Sequence, residues 1–209
     1  MKNQKLTTGT GIAMYPYLFS PDTKFSTEGV FCLNLRLDMV EGKKLAKQLE
    51  TQQKDHIKEA TAATGKKPSR INPYPWKEVE DNNGEPCMDF KFKLKPSFKT
   101  KAGEIVKQRP AVFDASLKPL TEECRLGNGS KIKVNFSVIP YNTSMGCGIS
   151  LRLHAVQVLD LVQYNNGESD TGGFSIEEGF VAPESERVPA DATNKQDAPQ
   201  EEISDASSF

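Results

Sequence analysis

The sequence predicts a mainly β domain with one amphipathic helix and a disordered, acidic C-terminal tail. In several short segments apolar and polar residues alternate, which is the period of a half-buried β-strand. One long segment instead has apolar residues at helical spacing. The final segment, 167–209, is rich in Glu, Asp, Ser, Ala, Pro and Gly and poor in large apolar residues, a composition typical of disorder.

The first predicted strands lie between residues 7 and 37. The segment Ile12–Phe19 follows a glycine-rich start and ends at the turn signals of Ser20–Asp22. In the next segment every second residue is apolar, namely Phe31, Leu33, Leu35 and Leu37. This alternation indicates a strand with one face in the core.

A helix of about six turns follows directly. Asp38 and Glu41 have the spacing of a capping box, with Asp in place of the usual Ser or Thr. Gly65, followed by Pro68, marks the end of the helix. The apolar residues that share one face are Leu45, Leu49, Ile57 and Ala60.

The third region returns to strands. Apolar residues alternate with lysines across Phe90–Lys95, and with Lys, Asn and Ser across Lys131–Val138, where a Gly-Asn-Gly-Ser turn precedes the strand. A long strand is predicted over Ile149–Val162, and its nearly continuous apolar second half, Ala155–Val162, predicts coverage of both faces. Short strands around one helix fit a Greek-key barrel such as the oligonucleotide-binding (OB) barrel. A β-sandwich fits almost as well.

The charge distribution divides the chain into a basic body, 1–166, and an acidic tail, 167–209. The tail contains 11 acids and two bases, a charge of −9, whereas the remainder has 25 bases and 17 acids, a charge of +8. A basic body with an acidic end is typical of a nucleic-acid binder that carries its own electrostatic competitor. The alternative is an ordinary domain with a solvating tail.

The sequence lacks the patterns that specify a catalytic or metal site. The cysteines are far apart, only two histidines occur, and no Gly-x-Ser-x-Gly motif is present. We therefore expect no enzyme activity, no metal and no cofactor. The sequence contains neither a membrane-length apolar run nor an apolar segment behind its first residues, so we expect a cytoplasmic protein with reduced thiols.

The basic residues suggest a phosphate-binding surface. Lys91, Lys93 and Lys95 should point to one side of their strand, where like charges repel unless an anion relieves them. The alternative is an edge strand protected by lysines against aggregation. The candidate phosphate contacts are Lys91, Lys93, Lys95, Lys99, Lys101, Arg109, Lys131, Lys133 and Arg152.

Binding of single strands also requires aromatic platforms for the bases. Tyr74 and Trp76 lie in a polar, proline-rich loop, where they are either presented to a ligand or folded back as a plug. Tyr141 follows Pro140 at a strand end, a position expected at a rim. We take Tyr74, Trp76 and Tyr141 as candidate base-stacking residues, and Phe92, Phe113 and Phe136 as core.

Several segments together resemble phage-encoded single-stranded DNA-binding replication proteins, which have one OB barrel and an acidic tail. The segments that resemble this family are Arg109–Asp114, Gly127–Val134, Pro140–Tyr141, Gly148–Leu153 and Ala155–Val158. The resemblance covers about the C-terminal third of the body, and the tail with its terminal Phe209 agrees with it.

The resemblance implies an elaborated, five-stranded Greek-key OB-fold that coats and protects single-stranded DNA in replication and recombination, in the host cytoplasm. It implies that the tail competes with DNA and contacts a polymerase or helicase. The tail residues that match the family pattern are Glu201, Glu202, Asp205 and Phe209. The final Ala206–Phe209 departs from the family pattern, because it contains no acidic residue.

Two other functions are open on the sequence alone. A protein–protein adaptor would use tail segments 174–181 and Phe209 and have no affinity for nucleic acid. A nuclease would cleave single strands in the presence of magnesium or manganese. A homodimer formed by tail exchange is compatible with the sequence, which does not require it.

Overall fold

The computed structural model describes residues 5–163, except positions 25, 82, 101, 123 and 125. Within that part the chain forms ten strands and one helix, which confirms the mainly β prediction. The strands are β1 (Lys5–Thr7), β2 (Gly11–Asp22), β3 (Val30–Asp38), β4 (Trp76–Glu80), β5 (Pro86–Leu94), β6 (Ser97–Lys99), β7 (Ile105–Lys107), β8 (Ala111–Phe113), β9 (Lys131–Thr143) and β10 (Gly146–Asp160), and the helix is α1 (Met39–Thr64). The predicted tail, 167–209, lies outside the described residues.

Five of the strands close into a barrel. Around the barrel the order is β2, β3, β5, β10, β9 and back to β2. Neighbouring strands are antiparallel except β5 and β10, which are parallel. This is the Greek-key strand order of the OB barrel, so the barrel prediction is confirmed and the sandwich alternative is wrong.

The core of the barrel follows the predicted alternation. Phe92 and Phe136 are fully buried, and their rings meet edge to face with centroids 5.1 Å apart. The alternate residues on the central strands also point inward, since each of them is at most 6% exposed. They are Phe31, Leu33, Leu35, Leu37, Phe90, Ile132, Val134, Leu151 and Leu153.

The helix begins and ends where the sequence predicts. The Asp38 carboxylate accepts hydrogen bonds from the backbone N–H groups of Val40 and Glu41, at 2.9 and 3.0 Å. Gly65 ends the helix in the left-handed conformation, with φ of 67°. Leu49 is fully buried against the barrel. No helix in the described part of the chain is long and apolar enough to cross a membrane.

The structure differs from the sequence prediction in two ways. The short strands β1, β4, β6, β7 and β8 are additional, and Trp76 begins β4 instead of lying in a loop. The second half of β10 is not covered on both faces, because Leu159 is 38% exposed and Leu161, just past the strand, is 37% exposed. In this half of β10, the edge opposite to β9 is paired only with the short strand β8, whose last residue, Phe113, is opposite Gln157.

Candidate nucleic-acid interface

A row of paired residues crosses the barrel from β2 to β1, and all of its members are exposed or half-buried except Ser137, which is 2% exposed. Each member is the register partner of the next, and their strand neighbours in the central part of the row point into the core. We call this set the outer row. It consists of Tyr17, Cys32, Lys93, Arg152, Ser137 and Lys5.

The outer row is basic at its centre. Lys93 and Arg152 are direct cross-strand partners, and Lys91 lies on the same face of β5 two residues before Lys93. Among the described residues, no salt bridge within 4.0 Å involves any of these three cations. Like charges placed opposite one another are destabilising, so this arrangement favours an anionic ligand.

The lysines on β5 do not protect a sheet edge. Strand β5 is paired along one side with β3 and along the other with β4 and β10. An edge strand is the condition under which lysines guard against aggregation, and β5 does not meet it. That explanation of Lys91 and Lys93 is therefore excluded.

Arg152 has two polar neighbours: Gln108, which accepts a hydrogen bond from it, and His154, whose pKa its charge lowers. The Arg152 guanidinium donates a hydrogen bond to Gln108 Oε1 at 2.8 Å, and Gln108 Nε2 donates to the Lys95 carbonyl at 2.9 Å. His154 Nε2 lies 2.6 Å from the Ser137 hydroxyl. Burial lowers the pKa of His154, and the charges of Arg152 and Lys5 lower it further. Both cations therefore disfavour a charged His154, as expected on a face of positive potential.

Further along β3 the positive charge is neutralised. Arg36 donates to both carboxylate oxygens of Asp89 on β5, at 2.8 and 3.1 Å. This hydrogen bonding is the largest of the effects that raise the pKa of Arg36. Because Asp89 already binds Arg36 in a bidentate geometry, the available positive charge of this face is concentrated around Lys93 and Arg152.

The other predicted phosphate contacts are more dispersed. Arg109 and Lys131 form exposed ion pairs with Glu122 and Asp160, at 3.7 and 3.6 Å. Lys95 follows β5, Lys99 lies on the β6–β7 hairpin, and Lys133 is opposite Gln157. Lys101 is outside the described residues. Exposed ion pairs contribute about 0–1 kcal/mol, so Arg109 and Lys131 could exchange their partners for phosphate at little cost.

Tyr74 and Trp76 lie away from the outer row. Trp76 is the register partner of Phe90, whose side chain points inward, whereas Lys91 and Lys93 point outward. The Tyr74 and Trp76 rings stack with centroids 4.3 Å apart, and Trp76 also stacks on Phe90 at 6.0 Å. The Tyr74 hydroxyl donates to Glu50 on α1 at 3.1 Å. Trp76 thus packs on the core, whereas Tyr74 keeps 36% of its surface exposed, and base stacking by these two residues stays a prediction.

Tyr141 lies at the end of the barrel where β9 turns into β10. Its hydroxyl accepts a hydrogen bond from Asn72 Nδ2 at 3.1 Å, and its carbonyl is 3.1 Å from His56 Nε2 on α1. The ring packs over Gly148, where an added Cβ would be 2.9 Å from the Tyr141 hydroxyl. Tyr141 is therefore held beside the helix by these contacts, and base stacking by Tyr141 stays a prediction.

The structure also presents two aromatic residues that sequence reasoning missed. Tyr15 and Tyr17 on β2 are 60% and 44% exposed, and Tyr17 begins the outer row. The available signal was the Tyr-Pro-Tyr sequence within a predicted strand, since Pro16 interrupts regular pairing. The predicted partner-binding residues Glu201, Glu202, Asp205 and Phe209 lie outside the described residues.

Comparison with known proteins identifies one family. Residues 10–161 match the family model described as "Single-stranded DNA-binding protein, Bacteriophage T7". The chain is 35% identical over 123 residues to the single-stranded DNA-binding protein of Escherichia phage T7, covering 57% of this chain and 52% of that protein. It is 32% identical over 144 residues to the corresponding protein of Enterobacteria phage T3, covering 68% and 61%. The match thus spans about half to three fifths of these curated relatives.

Solved structures agree on the fold. The crystal structure of gp2.5, a single-stranded DNA-binding protein encoded by bacteriophage T7, superposes with a TM-score of 0.66 at 26% identity, covering 87% of this chain and all of that one. The single-stranded DNA-binding protein from bacteriophage Enc34, in complex with single-stranded DNA, gives a TM-score of 0.55 at 15% identity over 76% and 88% of the two chains. This second similarity concerns the fold alone.

Proposed function

The chain belongs to the family of single-stranded DNA-binding proteins described from bacteriophage T7, and we propose that it binds and protects single-stranded DNA without catalysing a reaction. The observation that carries this proposal is the outer row. Lys91, Lys93 and Arg152, which have no salt-bridge partner in the described part of the chain, lie on the internal strands β5 and β10 of an OB barrel, and the row continues through Cys32 to the exposed Tyr17.

The chemistry of this surface fits single strands better than duplexes. Lysine and arginine side chains neutralise phosphates and release counterions, which gives affinity without sequence preference. Exposed aromatic rings can stack on bases only where the bases are unpaired, and every base has a stacking face. Binding should therefore tolerate any sequence, weaken as salt rises, and favour single strands.

Titration with fluorescently labelled oligothymidine, and with duplex DNA of the same length, tests the proposal. Anisotropy should rise with the single strand, fall back as salt increases, and change little with the duplex. Equal binding to both would indicate a general polyanion surface. No salt-sensitive affinity for either would favour the protein–protein adaptor instead. Loss of labelled strand in the presence of magnesium or manganese would indicate a nuclease.

Removing the tail should strengthen DNA binding at low salt. The segment 167–209 carries −9 against the +8 of the remainder, and its attachment raises the local concentration of carboxylates at the basic surface. A chain ending at Gly167 should therefore bind oligothymidine more tightly than the full chain, and the difference should shrink as salt screens both. Affinity that is unchanged or weaker after truncation would exclude self-competition.

We further propose that the protein acts in phage DNA replication and recombination in the host cytoplasm. In this proposal the tail also contacts a replicative polymerase or helicase through Glu201, Glu202, Asp205 and Phe209. The same tail is the segment through which a homodimer would form by exchange. Sedimentation of the full chain and of the chain ending at Gly167 distinguishes this dimer from a monomer.

A further inference from the structure

Tyr15 has an unusual backbone conformation for its residue type. Its φ is +52°, in the left-handed region, and within the described residues only Leu117 among the non-glycine residues shares a positive φ. A bulky residue in this region is strained, and such strain persists where the surroundings impose it. The ring is 60% exposed, so burial of the side chain does not account for the conformation.

The turn at Gly127–Ser130 holds Tyr15 in place. The Tyr15 N–H donates a hydrogen bond to Asn128 Oδ1 at 2.6 Å. Two backbone hydrogen bonds fix Ala13, two residues before Tyr15: its N–H donates to the Ser130 carbonyl at 2.8 Å, and its carbonyl accepts from the Gly129 N–H at 3.0 Å. The turn thus determines the backbone geometry on both sides of Met14.

The strain coincides with a β-bulge. Met14 is opposite Asn34 and Tyr17 is opposite Cys32, so Tyr15 and Pro16 together face the single residue Leu33. A bulge of this kind inserts one residue and re-aims the side chains around it. It brings Tyr17 into the outer row and leaves the Tyr15 ring in solvent two residues away along β2.

We propose that Tyr15 stacks on an unpaired nucleobase of the bound strand and that Asn128 is the residue that positions it. This inference rests on the proposed function, and it names a contact that the sequence did not identify. A base that stacks on the exposed ring covers its apolar face and leaves no backbone polar group unpaired. Because the Tyr15 backbone is already fixed, less conformational entropy is lost on binding. Phosphates neutralised at Lys93 and Arg152 would place the strand across β5 and β10, and its continuation over β3 would bring it within reach of β2.

The variant Tyr15→Gly tests this assignment. Glycine adopts a positive φ without strain, so the fold should keep its thermal midpoint while the ring is lost. Affinity for oligothymidine should fall at least about five-fold, since a stacked base contributes roughly 1–3 kcal/mol. Tyr15→Phe should retain most of the affinity. Leu117→Gly is the matched control, because Leu117 also has a positive φ, of 63°, and an exposed side chain.

Two results would overturn the proposal in different ways. Full affinity in a folded Tyr15→Gly chain would remove Tyr15 from the interface while leaving DNA binding intact. Failure of the unaltered chain to bind oligothymidine would overturn the proposed function, and the role of Tyr15 with it. Equal losses in Tyr15→Gly and Leu117→Gly would likewise contradict a specific stacking role.

A double-mutant cycle tests the role of Asn128. Asn128→Ala removes the side-chain acceptor of the Tyr15 N–H and should weaken binding about two- to five-fold. Tyr15→Gly combined with Asn128→Ala should bind no more weakly than Tyr15→Gly alone, because Asn128 acts through the ring. Additive losses would show that Asn128 contributes independently, which a purely positioning residue does not.

Discussion

The double variant Lys93→Ala/Arg152→Ala is expected to bind oligothymidine at least about ten-fold more weakly than the unaltered chain at low salt. These two side chains are direct cross-strand partners at the centre of the outer row. Each phosphate contact on a single strand contributes about −0.7 to the slope of log affinity against log salt concentration. Losing two contacts should therefore reduce the steepness of that slope by about 1.4, measured by anisotropy over a series of salt concentrations.

The control for this variant removes the same charge elsewhere. Lys43 and Lys47 are exposed on α1, and their replacement by alanine also changes the net charge by two. Lys43→Ala/Lys47→Ala should bind nearly as tightly as the unaltered chain, with a similar salt slope. If both double variants lost the same affinity, the binding would depend on net charge and not on the outer row.

Phe136→Ala should destabilise the barrel by about 3–5 kcal/mol, the usual cost of removing a large aromatic side chain from a core. Phe136 is fully buried and packs edge to face against Phe92. Domains of this kind have a total unfolding free energy of about 5–15 kcal/mol, so this is a substantial fraction. Urea denaturation followed by circular dichroism measures the change.

Phe98→Ala provides the comparison for Phe136→Ala. Phe98 lies on the β6–β7 hairpin with 43% of its surface exposed, and its loss should change the unfolding free energy by about 1 kcal/mol or less. A similarly small effect for Phe136→Ala would mean that the Phe136 and Phe92 rings are not packed together in the core. That result would contradict the packing at the centre of the barrel.

The fold could be predicted where local pattern and tertiary structure agree. The alternation through Phe31–Leu37 and Phe90–Lys95 is strict, and in each case one face is buried in the barrel. The helix boundaries at Asp38 and Gly65 depend on a side-chain cap and a glycine conformation, both of which are local. The short strands β1 and β8 have too few residues to display a period, and they form because they pair with the longer strands β9 and β10.

The site was harder to predict because its geometry depends on distant contacts. The conformation of Tyr15 is held by Asn128, which is 113 residues away in sequence. The proline-rich composition around Trp76 indicates a loop, but Trp76 pairs with Phe90 and its ring stacks on the buried Phe90 ring. Alternation alone places the lysines of β5 on one face, so the sequence predicts them. That β5 is paired along both sides, and is therefore not an edge strand, depends on its partner strands β3 and β10.

Protection of Cys32 from alkylation tests most directly whether single-stranded DNA lies across the outer row. Cys32 is half-buried between its register partners Tyr17 and Lys93, and burial raises the pKa of its thiol, so the reaction is run at mildly alkaline pH. Cys124, also half-buried, is off this row and serves as the internal reference. Saturating oligothymidine should slow alkylation of Cys32 and leave that of Cys124 unchanged. An unchanged Cys32 rate with DNA bound would contradict the account.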